Sequence, residues 1–286
     1  MKQITEISQL KELTSQYRSE GQSIGFVPTM GFLHEGHLTL VEKARRENDI
    51  VVMSIFVNPA QFGPGEDYEA YPRDLNRDAK LAEQAGADLL FTPSAQDMYK
   101  GEQNVAVHVK RRTDVLCGRS RTGHFDGVAT VLTKFFNLVK PNRAYFGLKD
   151  AQQAAVVDGL IEDFFMDIEL VAVDTVREED GLAKSSRNVN LSAEERKEAP
   201  IIYKALQKGA ELIRDGERNP EEIVKAVTGM IENTSGVIDY VELYAYPELT
   251  PIDTLDGKII LACAVQFSKA RLIDNIIIDI DEWERS

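Results

Sequence analysis

The chain is expected to form an α/β protein: a parallel sheet covered by helices on both faces, followed by a smaller α+β portion. Three observations lead there. Short apolar, β-branched runs alternate with amphipathic stretches through the first two thirds of the 286 residues, the pattern of strands joined by crossover helices. Beyond about residue 190 the alternation gives way to helical periodicity and then to a small sheet. The length itself exceeds what one compact domain usually needs.

The elements follow in order. "SIGFVPT" (23–29) reads as a buried strand, and "EGHLTLVEKARREN" (35–48) as a helix with Leu38, Val41 and Ala44 on one face. "DIVVMSIFVN" (49–58) is a second strand. "DLNRDAKLAEQAG" (74–86) is a helix stopped by Gly86, and "ADLLFTP" (87–93) a third strand. "VAVHVK" (105–110) alternates like a strand. A helix over 126–140, the strand "RAYFGL" (143–148), a helix over 150–163 and the strand "DIELVAVDTV" (167–176) complete this part. Helices dominate 192–233, and "IDYVELYAYPEL" (238–249) and "KIILACAVQFSKARLIDNIIID" (258–279) form the small sheet. The expected domains are 1–176 and 177–286.

Composition narrows the function. A net charge of -14 argues against a nucleic-acid backbone as partner, because such binders need a broad basic surface. The longest apolar runs are too short to span a bilayer. The N-terminal stretch "MKQITEISQLKELTSQ" is polar and unlike a signal peptide. Cys117 and Cys263, the two cysteines, form no C-x-x-C pair, so neither a disulfide framework nor structural zinc is expected. A reducing cytoplasm fits these features.

Two of the four histidines, His34 and His37, lie in "PTMGFLHEGHLTL", between the first strand and the first long helix. Ligands of a parallel sheet bind at the carboxyl ends of its strands, and a helix N-terminus offers unpaired N–H groups and partial positive charge to a phosphate. At i and i+3 the two rings project from one side of the first turn. The helix dipole disfavours added positive charge, so each ring should stay neutral and donate one hydrogen bond to a phosphate oxygen. Gly36 leaves room for close approach to the backbone. Two ordinary surface histidines are the plain alternative. A zinc site is weaker, since H-E-x-x-H needs spacing i, i+4.

Three further stretches carry chemistry. In "FVNPAQFGPGEDYEAYPRD" (56–74) the amide of Gln61 both donates and accepts, as a neutral polar substrate requires; a plain polar loop is the alternative. In "YFGLKDAQQ" (145–153) Lys149 sits at a helix start, where its charge is unfavourable without an anion. Asp150 fits an N-cap, and Gln153 falls one turn later. In "VREEDGLAKSSRNVNLS" (176–192) Lys184, Ser185, Ser186 and Arg187 gather two cations and two hydroxyls suited to triphosphate, or form a solvated turn. "RSRTGHF" (119–125), with its arginines and His124, fits either a border of the active site or a mobile surface loop.

Taken together, "PTMGFLHEGHLTL", "SIFVNPAQFG" with "DYEAYPRD", "RTGHFDGVATVLTKFFNLVKP", "AYFGLKDAQQ" and "VREEDGLAKSSRN" resemble, in order and spacing, the pantoate–β-alanine ligase (pantothenate synthetase) family. "HEGH" is similar to the HIGH signature of the nucleotidylyltransferase superfamily, and "KSSR" takes the place of its KMSKS loop. The resemblance implies a Rossmann-like N-terminal domain, a smaller C-terminal lid domain and a homodimer. It implies condensation of (R)-pantoate with β-alanine, with ATP as substrate and Mg²⁺ present, through pantoyl adenylate, giving pantothenate, AMP and diphosphate. Carried over by motif, Met30, Gly31, Phe32, Leu33, His34, Glu35, Gly36 and His37 line the ATP site, with His34 and His37 on the phosphates and His37 as the catalytic donor. Gly147, Leu148, Lys149, Asp150 and Val176 contact the nucleotide, and Lys149 joins the histidines in catalysis. Lys184, Ser185, Ser186 and Arg187 close over the triphosphate. Gln61 and Gln153 hold pantoate, Gln61 also meeting β-alanine, and Asp78 neighbours Mg²⁺.

The chain departs from the family at Leu148, where Glu is common, and at Lys184, where Met is common. Rival readings are another HIGH-motif enzyme with a different acid substrate, disfavoured for tRNA by the net charge, and a catalytically idle nucleotide-binding module, against which the intact His34, His37, Gln61, Lys149 and Arg187 speak.

Overall fold

A computed structural model describes residues 1–284. In chain order the elements are β1 (Lys2–Ile4), α1 (Ile7–Ser19), β2 (Ile24–Thr29), α2 (Glu35–Glu47), β3 (Ile50–Ile55), α3 (Leu75–Ala85), β4 (Leu89–Phe91), α4 (Ala95–Met98), α5 (Leu116–Ser120), α6 (His124–Val139), β5 (Arg143–Gly147), α7 (Ala151–Asp163) and β6 (Glu169–Val173). Then come α8 (Ala193–Glu198), α9 (Ile201–Arg214), α10 (Pro220–Ile231), β7 (Val237–Ala245), β8 (Lys258–Gln266), β9 (Arg271–Asp279) and α11 (Ile280–Glu284). The chain divides into two compact units. One comprises 1–111, 121–148 and 156–174; the other comprises 112–120, 149–155 and the chain from 175 onward.

The first unit is built on a six-stranded sheet in the order β1-β4-β3-β2-β5-β6, parallel at every pairing. Successive side chains of a strand point to opposite faces, and the core obeys this. Val27, Val51, Met53 and Leu90 pack with Leu40, Val41 and Ala44 of α2 and Ala79 and Ala82 of α3. On the other face Phe26 meets Phe135 and Phe136 of α6, at ring centroid distances of 5.6 and 6.3 Å, and Phe91 meets Phe135 at 6.2 Å. Helix α3 ends at Gly86, whose φ of +103° is the left-handed stop its position predicts.

Strand order reverses at β2. The chain leaves β2 for β3 on one side and later returns as β5 on the other. Such a switch point opens a crevice at the carboxyl ends of the strands. Residues 30–37 follow β2 and residues 56–61 follow β3, so both lie at that edge.

Two differences from expectation concern strands. Residues 105–110 are no strand. The N–H of Val107 donates to Thr130 Oγ1 at 3.2 Å and that of Val109 to Asp126 Oδ1 at 2.8 Å, so α6 side chains take the bonds a sheet would take. Conversely, β1 adds parallel to β4 through Lys2, Gln3 and Ile4; three residues are too few to show a period.

The second unit carries the antiparallel sheet β7-β8-β9. The run 258–279 is two strands, turned where the Phe267 N–H donates to the Ala270 carbonyl at 2.9 Å. Leu261, Cys263 and Val265 on one face of β8 pack with Ile202, Leu206 and Ile213 of α9 and Ile223 and Val227 of α10. Ile260, Ala262 and Ala264 on the other face pack with Val115, Leu116 and Cys117 and with Ala151 and Ala155 of α7.

Candidate active site

The turn after β2 is held from beneath by Asp78, on the first turn of α3. Its carboxylate is 1% exposed. It accepts the Phe32 N–H at 2.6 Å and the Leu33 N–H at 2.8 Å. Arg77 pairs with the same carboxylate at 3.2 Å and donates to the Leu33 carbonyl at 2.9 Å. Phe32 is thereby kept at φ +49°, a left-handed backbone that costs a non-glycine residue roughly 1 kcal/mol. Burial lifts Asp78 above the ordinary aspartate value, against the opposing pull of the Leu33 and Phe32 N–H groups and Arg77.

This turn delivers His34 to the N-cap of α2 and His37 to its third residue. Their ring centroids are 4.0 Å apart. The His34 N–H donates to His37 Nδ1 at 3.3 Å. An accepting nitrogen carries no proton, so in its neutral form His37 holds its proton on Nε2. Gly36 has a reason beyond ligand approach. A Cβ there would stand 3.0 Å from His34 Cε1 and 3.1 Å from Nδ1, pressing on the imidazole face.

Gln61 ends a short 3-10 turn, Pro59–Gln61, after β3. It is 7% exposed and wired on both sides. Its Nε2 donates to Met30 Sδ at 3.2 Å, which joins it to the β2 turn, and its Oε1 accepts from Asn58 Nδ2 at 3.1 Å. Asn58 also donates to the Gly127 carbonyl at 3.1 Å and accepts the Tyr99 hydroxyl at 2.5 Å. Burial pushes the Tyr99 phenol up to about 12, so it stays a donor. A Cβ on Gly127 would fall on the backbone carbonyl of Ala60, so α6 and the 3-10 turn touch only because residue 127 is glycine. His124 Nδ1 lies 2.7 Å from the Gln61 carbonyl oxygen.

Asn58, Arg77, Tyr99, Arg121 and His124 are the participants that sequence reasoning passed over or left open. The N-P-A-Q spacing, which puts Asn58 and Gln61 at the ends of one tight turn, is the signal that marks Asn58. The others are joined through contacts distant in sequence. Gly147 closes β5, and Leu148–Asp150 form a 3-10 turn running straight into α7. Asp150 therefore lies inside helical backbone instead of capping its start.

In the second unit Lys149 Nζ pairs with Asp150 at 3.6 Å, and its carbonyl accepts from Asn275 Nδ2 at 3.0 Å. Gln153 lies on the first turn of α7. Residues 176–184 form a small hairpin. The Lys184 N–H donates to the Val176 carbonyl at 2.9 Å and the Glu178 N–H to the Leu182 carbonyl at 2.8 Å. Lys184 Nζ pairs with Glu178 at 2.9 Å. Ser185 caps a 3-10 turn over Ser186–Asn190 by accepting the Arg187 N–H at 3.3 Å, and Ser186 is buried. Among the described residues no three His, Cys, Asp or Glu side chains are grouped as a metal cage requires, and no helix is long and apolar enough to cross a membrane.

Residues 2–277 match the profile of the family described as pantoate-beta-alanine ligase. The chain belongs to that family. It is 87% identical, over 100% of both chains, to the pantothenate synthetase of Bacillus velezensis. The crystal structure of pantothenate synthetase from Thermus thermophilus superposes with a TM-score of 0.92 at 45% identity, covering 98% of this chain and 99% of that one. The Francisella tularensis pantoate-beta-alanine ligase, solved in complex with beta-gamma ATP and beta-alanine, gives 0.80 at 34% identity over 97% of each chain. Membership in the pantoate–β-alanine ligase family agrees with the six-stranded parallel sheet and small antiparallel sheet described above.

Proposed function

We propose that the chain condenses (R)-pantoate with β-alanine at the expense of ATP, through a pantoyl-adenylate intermediate. The observation that carries this is the His34–His37 pair at the N-terminus of α2, with rings 4.0 Å apart and the His34 N–H donating to His37 Nδ1, in a chain of this family. In the first step a pantoate carboxylate oxygen attacks the α-phosphorus of ATP, the α–β bridging P–O bond breaks and diphosphate leaves. The nucleophile is already ionised, so no general base is required. What is required is that two anions be held together and the leaving charge stabilised. His34 and His37 take that role, joined by Lys149 and by Lys184 to Arg187. In the second step the β-alanine amine attacks the acyl carbon, a C–N bond forms, the C–O bond to AMP breaks and the amine gives up a proton.

Met30 to His37, Gly147 to Asp150 and Val176 are assigned to the nucleotide. Gln61 and Gln153 are assigned to pantoate, with Gln61 also meeting β-alanine; its spare N–H and lone pair suit hydroxyl and carboxylate groups. Mg²⁺ would neutralise charge on the phosphates. The donors present fit an ion that arrives on ATP and keeps phosphate and water oxygens, as Mg²⁺ prefers. Asp78 is its proposed neighbour, although both its oxygens already serve the Phe32–Leu33 turn. Residues 177–286 are proposed as the lid, excluding water from the adenylate, in a cytoplasmic homodimer. Pantoate labelled with ¹⁸O in its carboxylate tests the scheme: AMP should carry one labelled oxygen and pantothenate the other. Label in diphosphate or orthophosphate and none in AMP would refute it.

A further inference from the structure

Gln61 is held from two directions, and only one involves its amide. Behind it, the carbonyl oxygen of Gln61 lies 2.7 Å from His124 Nδ1, and Arg121 Nη2 reaches the same oxygen at 3.5 Å. A carbonyl only accepts, so His124 Nδ1 carries a proton. The other ring nitrogen, Nε2, lies 3.0 Å from Arg121 Nη1. Guanidinium only donates, so Nε2 carries none. The Nδ1–H tautomer of His124 satisfies both contacts at once. Arg121 is oriented in turn by Glu66, whose Oε1 accepts its Nε–H at 3.0 Å and whose Oε2 pairs with Nη2. Burial would raise Glu66, but hydrogen bonding and charge from Arg121 outweigh it and hold the carboxyl below the ordinary glutamate range.

We infer that Glu66, Arg121 and His124 form a positioning relay for pantoate recognition, fixing the main chain of Gln61 so that its side-chain amide presents one donor and one acceptor to the substrate. This deepens the proposed function and rests on the assignment of Gln61 to pantoate. The geometry favours a dedicated relay over ordinary packing. An apolar ring would fill the same volume without needing partners at its nitrogens, whereas here His124 and Arg121 are joined to each other and both reach the one Gln61 carbonyl, which needs only one donor to be satisfied. The relay is directional. Glu66 aims Arg121, Arg121 selects the tautomer of His124, and His124 then has one proton, aimed at Gln61. It also gives a role to "RSRTGHF", of which Arg121 and His124 are part.

The test measures KM for pantoate and for ATP in the full chain. His124→Phe keeps ring volume and removes both polar contacts. Misplacing Gln61 should raise KM for pantoate by about tenfold or more and leave KM for ATP within about twofold. His124→Asn, whose amide nitrogen stands where Nδ1 does, should recover most of the loss. Glu66→Ala, at the partly exposed end, should raise KM for pantoate by roughly threefold and gives a readout if His124→Phe fails to fold. A structural role would add the same penalty in any background, whereas a relay acting through Gln61 should not. In Gln61→Ala, adding His124→Phe should therefore change KM for pantoate by less than about twofold. If Gln61→Ala raises KM for pantoate but neither His124→Phe nor Glu66→Ala does, or if the double variant is additive, the relay is refuted and the Gln61 assignment stands. If Gln61→Ala itself leaves KM for pantoate unchanged, the assignment falls and the relay with it.

Discussion

Replacing Asp78 by asparagine keeps the side chain's shape and tests how the turn after β2 is held. The native carboxylate accepts two backbone N–H groups, from Phe32 at 2.6 Å and Leu33 at 2.8 Å. Asparagine has one oxygen for the two, and its NH₂ would face the other donor. One charge-assisted bond of about 1.5–3 kcal/mol is lost, and one buried N–H is left unsatisfied at a cost of about 1–3 kcal/mol. Removing a buried charge that the site tolerates poorly gives part of this back, as does relaxation of Phe32 from φ +49°. The net expectation is about 2–4 kcal/mol of lost stability. Urea unfolding followed by circular dichroism measures it. Because the same bonds shape residues 30–34, KM for ATP should rise by about tenfold. A loss below about 1 kcal/mol with unchanged KM for ATP would show that Asp78 does not hold this turn.

Three further outcomes are expected. Gly127→Ala puts a methyl against the Ala60 carbonyl; it should shift the Asn58–Gln61 turn, lower the melting temperature and raise KM for pantoate by about tenfold or more. His37→Ala should lower kcat by about a hundredfold with KM for ATP changed only a few-fold, read from steady-state rates. Glu195 is held down from 4.5 to about 2, chiefly by the Ser192 N–H and then by Ser268. A depressed folded-state value gives stability that is present above 4.5 and is lost as pH falls toward and through about 2. The melting-temperature gap between wild type and Glu195→Gln should therefore shrink as pH is lowered from about 7 to about 3.

The parts of the fold visible in sequence were those with a continuous apolar run or a terminal signal. The runs 23–29, 49–58 and 143–148 became β2, β3 and β5, and Gly86 ended α3. Residues 105–110 misled because alternation shows only that a segment could be a strand; whether a neighbouring strand is there to pair with it is a tertiary fact. Here Thr130 and Asp126 of α6 took its N–H groups. The histidine turn was legible because its chemistry is local: strand, turn, helix and two imidazoles within a dozen residues. Its support was not. Asp78 lies 46 residues from Phe32, and His124 lies 63 from Gln61, and no local pattern encodes such contacts. Lys184 illustrates a further limit. Sequence placed a cation there but not the Glu178 it pairs with, which lies across a hairpin closed by Glu178 and Leu182.

In the proposed reaction pantoate is activated on ATP before β-alanine takes part. Exchange of labelled diphosphate into ATP, with pantoate present and β-alanine omitted, measures this directly. Exchange should depend on pantoate and be lost in His37→Ala. Exchange that appears only when β-alanine is added, or that proceeds without pantoate, would overturn this order of steps.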